Sequence, residues 1–569
     1  MKTSRKLLST AIGLTLLAAS VIPASAETEI LEAEPALGVV ETAYGQAQGV
    51  PGETYSDVTL FKGMPYAAPP VGDLRWAPPE DPETWDGIRV FDTYGDAACQ
   101  WPNDMAADPW KTDFYYGDMP EFSEDCLYLN IATPAVTGNE KMPVYVWFHG
   151  GGLNHGFSYE VECDPEALAE KGVVVVEVGT RLGVFGYLSL PQLDKESEYG
   201  ASGNYGLMDS IKAVEWIRDN IKAFGGDPDN ITIGGQSGGT AKTAAFFGSE
   251  EGASLVSNVI WQTGLNFNNT YKSVEDNENT SIEWLKECGL TGNESLEELR
   301  SMDASVFMGN EDNYGDAPQS MVKDGKYIDC DNLKEAYDEG RFKGVNVLVG
   351  VNLGEFTQDG VGGHAMETAD EFYDYYKEIL GDLYDQYDFE SLVSVTDDTA
   401  LGEARTLSTM GINDGAFLNL AADQLFGQYF DKLDGTGNVY VYLLSHFTPG
   451  RNEDYYWAWH SSDLWYTFGS LRDIPEQREW TDWDHELADI CTSYWTNFMK
   501  NGDPNGEKLA EWIPSNSEQL AYMNLGEKDT TGSVTEIDKL RQLELTYTQQ
   551  HVVGLESTSV PEISEASTE

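Results

Sequence analysis

The chain has 569 residues, 41% of them hydrophobic and 23% charged, with 15 Trp, 30 Tyr and 22 Phe. That composition excludes wholesale disorder, collagen and coiled coil, and it allows a large buried core. Lys and Arg number 34 against 97 Asp and Glu, a formal net charge of -63, so nucleic acid and anionic membrane surfaces are repelled and are not expected as partners.

The amino terminus predicts a compartment. Lys2, Arg5 and Lys6 are basic, Leu7 to Ile22 is apolar without charge, and Ala24-Ser25-Ala26 is a small-x-small site. This pattern predicts a secretory signal peptide over 1–26, with an apolar stretch too short for a membrane span. Residues 27–555 are expected as one exported, secreted domain, and the acidic segment 556–569 as a disordered tail. No other run is long and apolar enough to cross a bilayer, so no membrane anchor is expected. The six cysteines, Cys99, Cys126, Cys163, Cys288, Cys330 and Cys491, all lie in the exported part. Export permits disulfides, but six cysteines allow fifteen full pairings among which the sequence does not choose. No pair has CxxC spacing, so a zinc ribbon is not expected.

Val144 to Phe148 reads as a buried strand running into His149-Gly150-Gly151-Gly152, and Val173 to Val178 as a second. Leu207, Ile211, Val214, Ile217, Ile221 and Phe224 recur at helical spacing, predicting a helix over 205–224 that Gly225-Gly226-Asp227-Pro228 stops. Ile231 to Gly234 is a short strand, and Thr240 to Phe247 resumes helical composition. Further strands are predicted near 256–262, 345–351 and 439–445, and a late helix over 484–500. Strands alternating with helices predict an α/β fold: a large, mostly parallel central sheet with helices on both faces.

Two motifs carry chemistry. Gly235-Gln236-Ser237-Gly238-Gly239 fits G-x-S-x-G, between an apolar strand and a small-residue helix, as a nucleophile elbow requires. The plain reading is a glycine-rich turn without chemistry; the context favours Ser237 as a nucleophile. Acyl transfer develops negative charge on a carbonyl oxygen, and backbone N–H groups reach it only where no side chain intervenes. Gly151 and Gly152 in the glycine run, with Gly238 after the serine, are therefore candidate oxyanion-hole donors.

These stretches resemble the type-B carboxylesterases, a branch of the α/β-hydrolases that includes para-nitrobenzyl esterases, cholinesterases and the non-enzymatic neuroligins. Further matches are Phe61-Lys62-Gly63-Met64-Pro65-Tyr66-Ala67, Ser123-Glu124-Asp125-Cys126-Leu127-Tyr128-Leu129-Asn130, Arg181-Leu182-Gly183 and Gly203-Asn204-Tyr205-Gly206-Leu207. Late in the chain come Tyr494-Trp495-Thr496-Asn497-Phe498 and Gly502-Asp503-Pro504-Asn505-Gly506. The resemblance runs from about 37 to 525 in the family's order and implies an α/β-hydrolase fold and a serine esterase without metal or cofactor.

In that fold the chain order is nucleophile, acid, histidine. Of seven histidines, His149 and His155 precede the serine, and His364 follows the candidate acid too closely. His446 ends a strand, His485 lies in a helical stretch and His551 is in the tail. His460, in Trp459-His460-Ser461-Ser462-Asp463-Leu464, matches the family's catalytic context; His446 is the fallback. The resemblance aligns Glu355 with the family's catalytic glutamate. Two neighbours depart from the pattern: Gly354 stands where Asp is usual and Phe356 where Gly is usual. Asp463 is a rival acid if the analogy fails. Gln236 replaces the glutamate common before the nucleophile.

The resemblance also implies a disulfide between Cys99 and Cys126, and structural ion pairs Arg75–Glu124 and Arg181–Asp209. It places Tyr115, Tyr116, Trp457, Trp459, Trp465 and Tyr466 near the site, where rings would favour compact acyl or aryl esters over long chains, unless they are ordinary core. The expected substrate is a small-molecule ester. A lipase, a cholinesterase-like hydrolase and a non-catalytic adhesion module remain alternatives on the same fold.

Overall fold

Val144 to Phe148 has no polar face, and Val174 to Val178 has none apart from Glu177; such strands are stable only with both sides covered. In the computed structural model they are neighbours in an eleven-stranded sheet. The structure describes residues 34–101, 109–113, 115, 119–265, 270–310, 315–414, 419–433, 435–450, 452–472, 478–552, 555 and 557–561. The expected signal peptide, Tyr116 and most of the tail lie outside the described residues. From Pro35 onward the chain forms one unit.

The strands, in chain order, are β1 (Val50–Pro51), β2 (Thr59–Pro65), β3 (Tyr128–Thr133), β4 (Met142–Phe148), β5 (Val174–Val178) and β6 (Gly226–Gln236). They continue with β7 (Asn258–Gln262), β8 (Asn346–Asn352), β9 (Val439–Leu444), β10 (Tyr522–Leu525) and β11 (Gly532–Val534). Across the sheet the order is β11-β10-β9-β8-β7-β6-β4-β5-β3-β2-β1. From β10 to β5 every pairing is parallel. The edges are antiparallel, through β11 on one side and β3, β2 and β1 on the other. The strand expected at 231–234 begins earlier, at Gly226, with an irregular register before Ile231. Pro228 lies in that stretch and has no N–H for the ladder.

The principal helices are α1 (Tyr205–Asn220), α2 (Gly238–Ala244), α3 (Leu420–Phe430), α4 (Asp463–Phe468) and α5 (Asp482–Asn501). The strand pleat sorts residues between two cores. Val144, Val146, Val347 and Val349 meet Leu207 and Val214 of α1 and Leu425 of α3. Tyr145, Trp147, Leu348 and Tyr440, pointing the other way, meet Leu487, Tyr494 and Phe498 of α5. Each such side chain contributes about 1.5–3 kcal/mol on burial, which is why helices on both faces are required.

Two buried ion pairs fasten the loops. Arg181 Nη2 lies 2.6 Å from Asp209 Oδ1, and Arg181 Nε donates to Oδ2 at 2.8 Å. Arg75 holds both oxygens of Glu124 at 2.6 Å and also donates to the carbonyls of Leu299 and Met302. Cys99 and Cys126 border the same small cavity but are both thiols, so the disulfide implied by the resemblance is not formed here. Part of the expected tail is docked: Ser559 N donates to Gln428 Oε1, and Gln542 Nε2 to the Pro561 carbonyl. Among the described residues no helix is long and apolar enough to cross a membrane.

Candidate active site

Because β6, β8 and β9 run parallel, their carboxyl ends lie on one side of the sheet, and the loops leaving them carry Ser237, Glu355 and His460. Ser237 sits between the end of β6 and the start of α2 with φ 54 and ψ -119. A non-glycine residue at positive φ costs of order 1–3 kcal/mol and persists only when its surroundings impose it. Here Ser237 N–H donates to the carbonyls of Gln262 (3.0 Å) and Thr263 (2.7 Å), pinning the turn to the end of β7. The residue after the serine has no room for a side chain: a Cβ on Gly238 would fall 1.7 Å from Gly152 O. That contact brings the glycine run against the elbow. Among the described residues, the N–H groups of Gly151, Gly152 and Gly238 donate no hydrogen bond, so three donors remain beside Ser237.

His460 is 4% exposed and Glu355 5%. His460 Nδ1 lies 2.5 Å from Glu355 Oε2. Glu355 Oε1 accepts from Thr263 Oγ1 at 2.7 Å and Asn352 N–H at 2.9 Å, so the carboxylate is held at both oxygens. Asn352 Nδ2 donates to Trp459 O and to Asp463 Oδ1, both at 3.0 Å, tying the end of β8 to the histidine loop. At the other ring nitrogen, Nε2, the hydrogen-bond partner is the Gln236 side-chain amide at 3.1 Å.

The departures around Glu355 have a geometric reason. Gly354 N–H donates to the Ala458 carbonyl at 2.8 Å, and the two segments pass too closely for a side chain. Phe356, at φ 43, places its ring 4.0 Å from the His460 ring and stacks on Trp110 at 5.7 Å. Trp110 in turn lies 6.3 Å from His460 and 5.6 Å from Trp459. Trp110 carries no sequence signal for this place, whereas Phe356 stands out as a departure beside Glu355; only the fold shows both rings converging on His460.

The other candidates are placed elsewhere. His446 is held at both nitrogens, by Asp484 at 2.9 Å and Glu527 at 2.6 Å. Asp463 accepts from Gln262 and Tyr442 at 2.8 Å and from Asn352, which links it to Glu355, and burial pushes its carboxyl above the usual range. Trp465 and Tyr466 are fully buried, as the core alternative for these rings expects. Trp457 stacks on Phe447 and carries the Arg405 guanidinium 3.8 Å from its ring.

A cavity of about 220 Å³ lies beside α2, where apolar Leu153, Ala241 and Met321 meet polar Thr270, Lys272 and Gln319; neither Ser237 nor His460 lines it. The glycine run is backed by Lys242 of α2, 1% exposed, whose Nζ lies 3.2 Å from both His149 Nε2 and the His149 carbonyl. Burial lowers Lys242 to about 7 against the pull of Glu160, and burial raises Glu160 to about 7. Among the described residues one set of donors, Glu160, Glu162 and Cys163, comes within 4.8 Å. Burial holds the Cys163 thiol well above its ordinary value.

The carboxylesterase family model matches residues 36–546. The fumonisin B1 esterase of Sphingopyxis macrogoltabida is 30% identical over 87% of both chains. The para-nitrobenzyl esterase of Bacillus subtilis is 29% identical over 89% of this chain and 98% of its own. Among solved structures, a carboxylesterase of Geobacillus stearothermophilus superposes with TM-score 0.69 at 27% identity, covering 89% of this chain and 99% of that one.

Proposed function

The chain belongs to the carboxylesterase family and is a carboxylic ester hydrolase, and from that premise we propose that Ser237, His460 and Glu355 are its nucleophile, base and acid. The observation that carries this reading is the 2.5 Å contact between His460 Nδ1 and Glu355 Oε2, across 105 residues of chain. A carboxylate there holds Nδ1 protonated and turns Nε2 into the proton acceptor.

Ser237 Oγ attacks the ester carbonyl carbon as its proton passes to His460 Nε2. The carbonyl oxygen, now an anion, lies among the N–H groups of Gly151, Gly152 and Gly238. Glu355 stabilises the imidazolium without taking its proton. Collapse of the tetrahedral intermediate expels the alcohol, which leaves with the proton from Nε2. Water then enters, gives its proton to Nε2 and attacks the acyl-enzyme; Ser237 leaves with that proton and the free acid departs. Resting enzymes often hold the serine–histidine bond open, closing it with substrate.

The rings of Phe356 and Trp110 against His460 support compact acyl or aryl groups. The basic, apolar and small-x-small order of residues 2–26 supports secretion, which amino-terminal sequencing of the exported product tests.

Ser237→Ala tests the nucleophile. The expected result is a kcat lower by at least ~10³ with folding intact, and loss of labelling by an organophosphonate. Near-normal turnover in that variant would remove Ser237 from the mechanism.

A further inference from the structure

Gln236, the last residue of β6, is 2% exposed and precedes the nucleophile. Its Nε2 meets His460 Nε2 at 3.1 Å, while His460 Nδ1 meets Glu355 Oε2 at 2.5 Å. An ionised carboxylate only accepts, so Nδ1 carries the ring proton and Nε2 of the neutral ring presents one in-plane lone pair. The amide NH2 is the half of the glutamine side chain that can donate to it, and the network assigns the amide that way round. Among the described residues no hydrogen bond joins Ser237 Oγ to His460. Serine and glutamine therefore share a claim on one lone pair.

Charged groups of both signs lie around this ring: the Arg405 guanidinium donates to the Tyr455 and Tyr456 carbonyls of the histidine loop and to Thr357 Oγ1 beside Phe356. Among the acids, Glu355 holds Nδ1, Asp463 opens α4 three residues on, and Asp423 of α3 is raised by burial and by Glu355. The molecule contains its own comparison in His446, which has carboxylates at both nitrogens. Burial opposes its charge, but the bonds from Asp484 and Glu527 outweigh burial and raise its proton affinity. At His460 the second partner is an uncharged amide.

We propose that Gln236 is a positioning residue that holds the resting His460 ring in its neutral, Nδ1-protonated form and releases Nε2 to Ser237 when substrate binds. The inference rests on the proposed triad. An amide donor stabilises the lone-pair form, whereas a carboxylate in its place would stabilise the imidazolium, which cannot act as a base.

Two variants test it, Gln236→Glu and Gln236→Leu, with kcat/KM for a soluble short-chain ester measured against pH. In Gln236→Glu the acidic limb is expected to move upward by about one pH unit or more, a tenfold loss on that limb. In Gln236→Leu, which removes the donor without adding charge, the limb moves the same way by less. The readout is the midpoint, not the height, so a general packing defect does not imitate it. An unmoved midpoint in both variants, or a uniform fall at every pH, overturns the proposal. His460→Ala separates the two levels. If it abolishes activity while the Gln236 variants keep the parent midpoint, only this inference fails; if it retains activity, the triad reading fails and this inference with it.

Discussion

Gly354 donates its N–H to the Ala458 carbonyl at 2.8 Å, and a Cβ on Gly354 would lie 2.9 Å from that oxygen and 2.5 Å from Tyr456 O. The loop carrying the acid and the loop carrying the histidine are thus in backbone contact one residue before Glu355 and two before His460.

Gly354→Ala should therefore push the two loops apart, because backbone oxygens cannot rotate away as a flexible side chain can. Misplacing reacting groups by about 1 Å costs on the order of 10²-fold. We expect a fall of that size in kcat/KM, with a lowered Tm. Unchanged kinetics would show that the Glu355–His460 contact does not depend on this approach.

His446 and Asp484 make stability depend on pH. Burial opposes the Asp484 charge, but bonds from His446, Thr481 and Tyr466 outweigh it and lower the carboxyl to about 2. The raised imidazole contributes fully below its unfolded value of about 6.5, and that contribution is lost as pH rises through the folded value. The lowered carboxylate contributes fully above its unfolded value of about 3.9, and that contribution is lost as pH falls toward about 2. The stability difference between the parent and His446→Gln should therefore be greatest between about pH 4 and 6.5 and shrink at alkaline pH. Denaturant unfolding at several pH values measures it; a difference that grows with pH contradicts the assignment. Activity should fall little in this variant, in contrast to His460→Ala.

An acyl-chain series tests the proposed preference for short-chain or aryl esters. Across 4-nitrophenyl esters from acetyl to palmitoyl, kcat/KM should be greatest at the short end and fall for long chains. A maximum at long chains with activation at an oil–water interface would identify a lipase. A strong preference for butyrylcholine would instead point to recognition of a quaternary ammonium by the rings near His460.

Cys99 and Cys126 should form a disulfide on export, since both border one cavity and the family resemblance pairs them. Closing that loop stabilises by roughly 3–4 kcal/mol in the chain-entropy model. Non-reducing peptide mapping checks the pairing, and reduction should lower Tm. Either cysteine found free in the exported protein contradicts it.

The sequence by itself determined the central strands, the helices that cover them and the elbow at Ser237. Those features depend on neighbours in the chain: apolar residues alternate or recur at fixed spacing, and a sharp strand-to-helix turn requires small residues on either side of it. Family motifs then singled out Glu355 and His460, but composition and spacing alone could not choose among 97 acids and seven histidines. Only the tertiary structure decided which carboxylate meets which ring nitrogen, because that contact joins residues 105 apart and leaves no periodicity behind. The same holds for Gln236 at Nε2, for Trp110 and Phe356 around the His460 ring, and for Gly354 against Ala458. Local sequence specifies what a segment can form, whereas these contacts arise where parallel strands deliver separate loops to one end of the sheet.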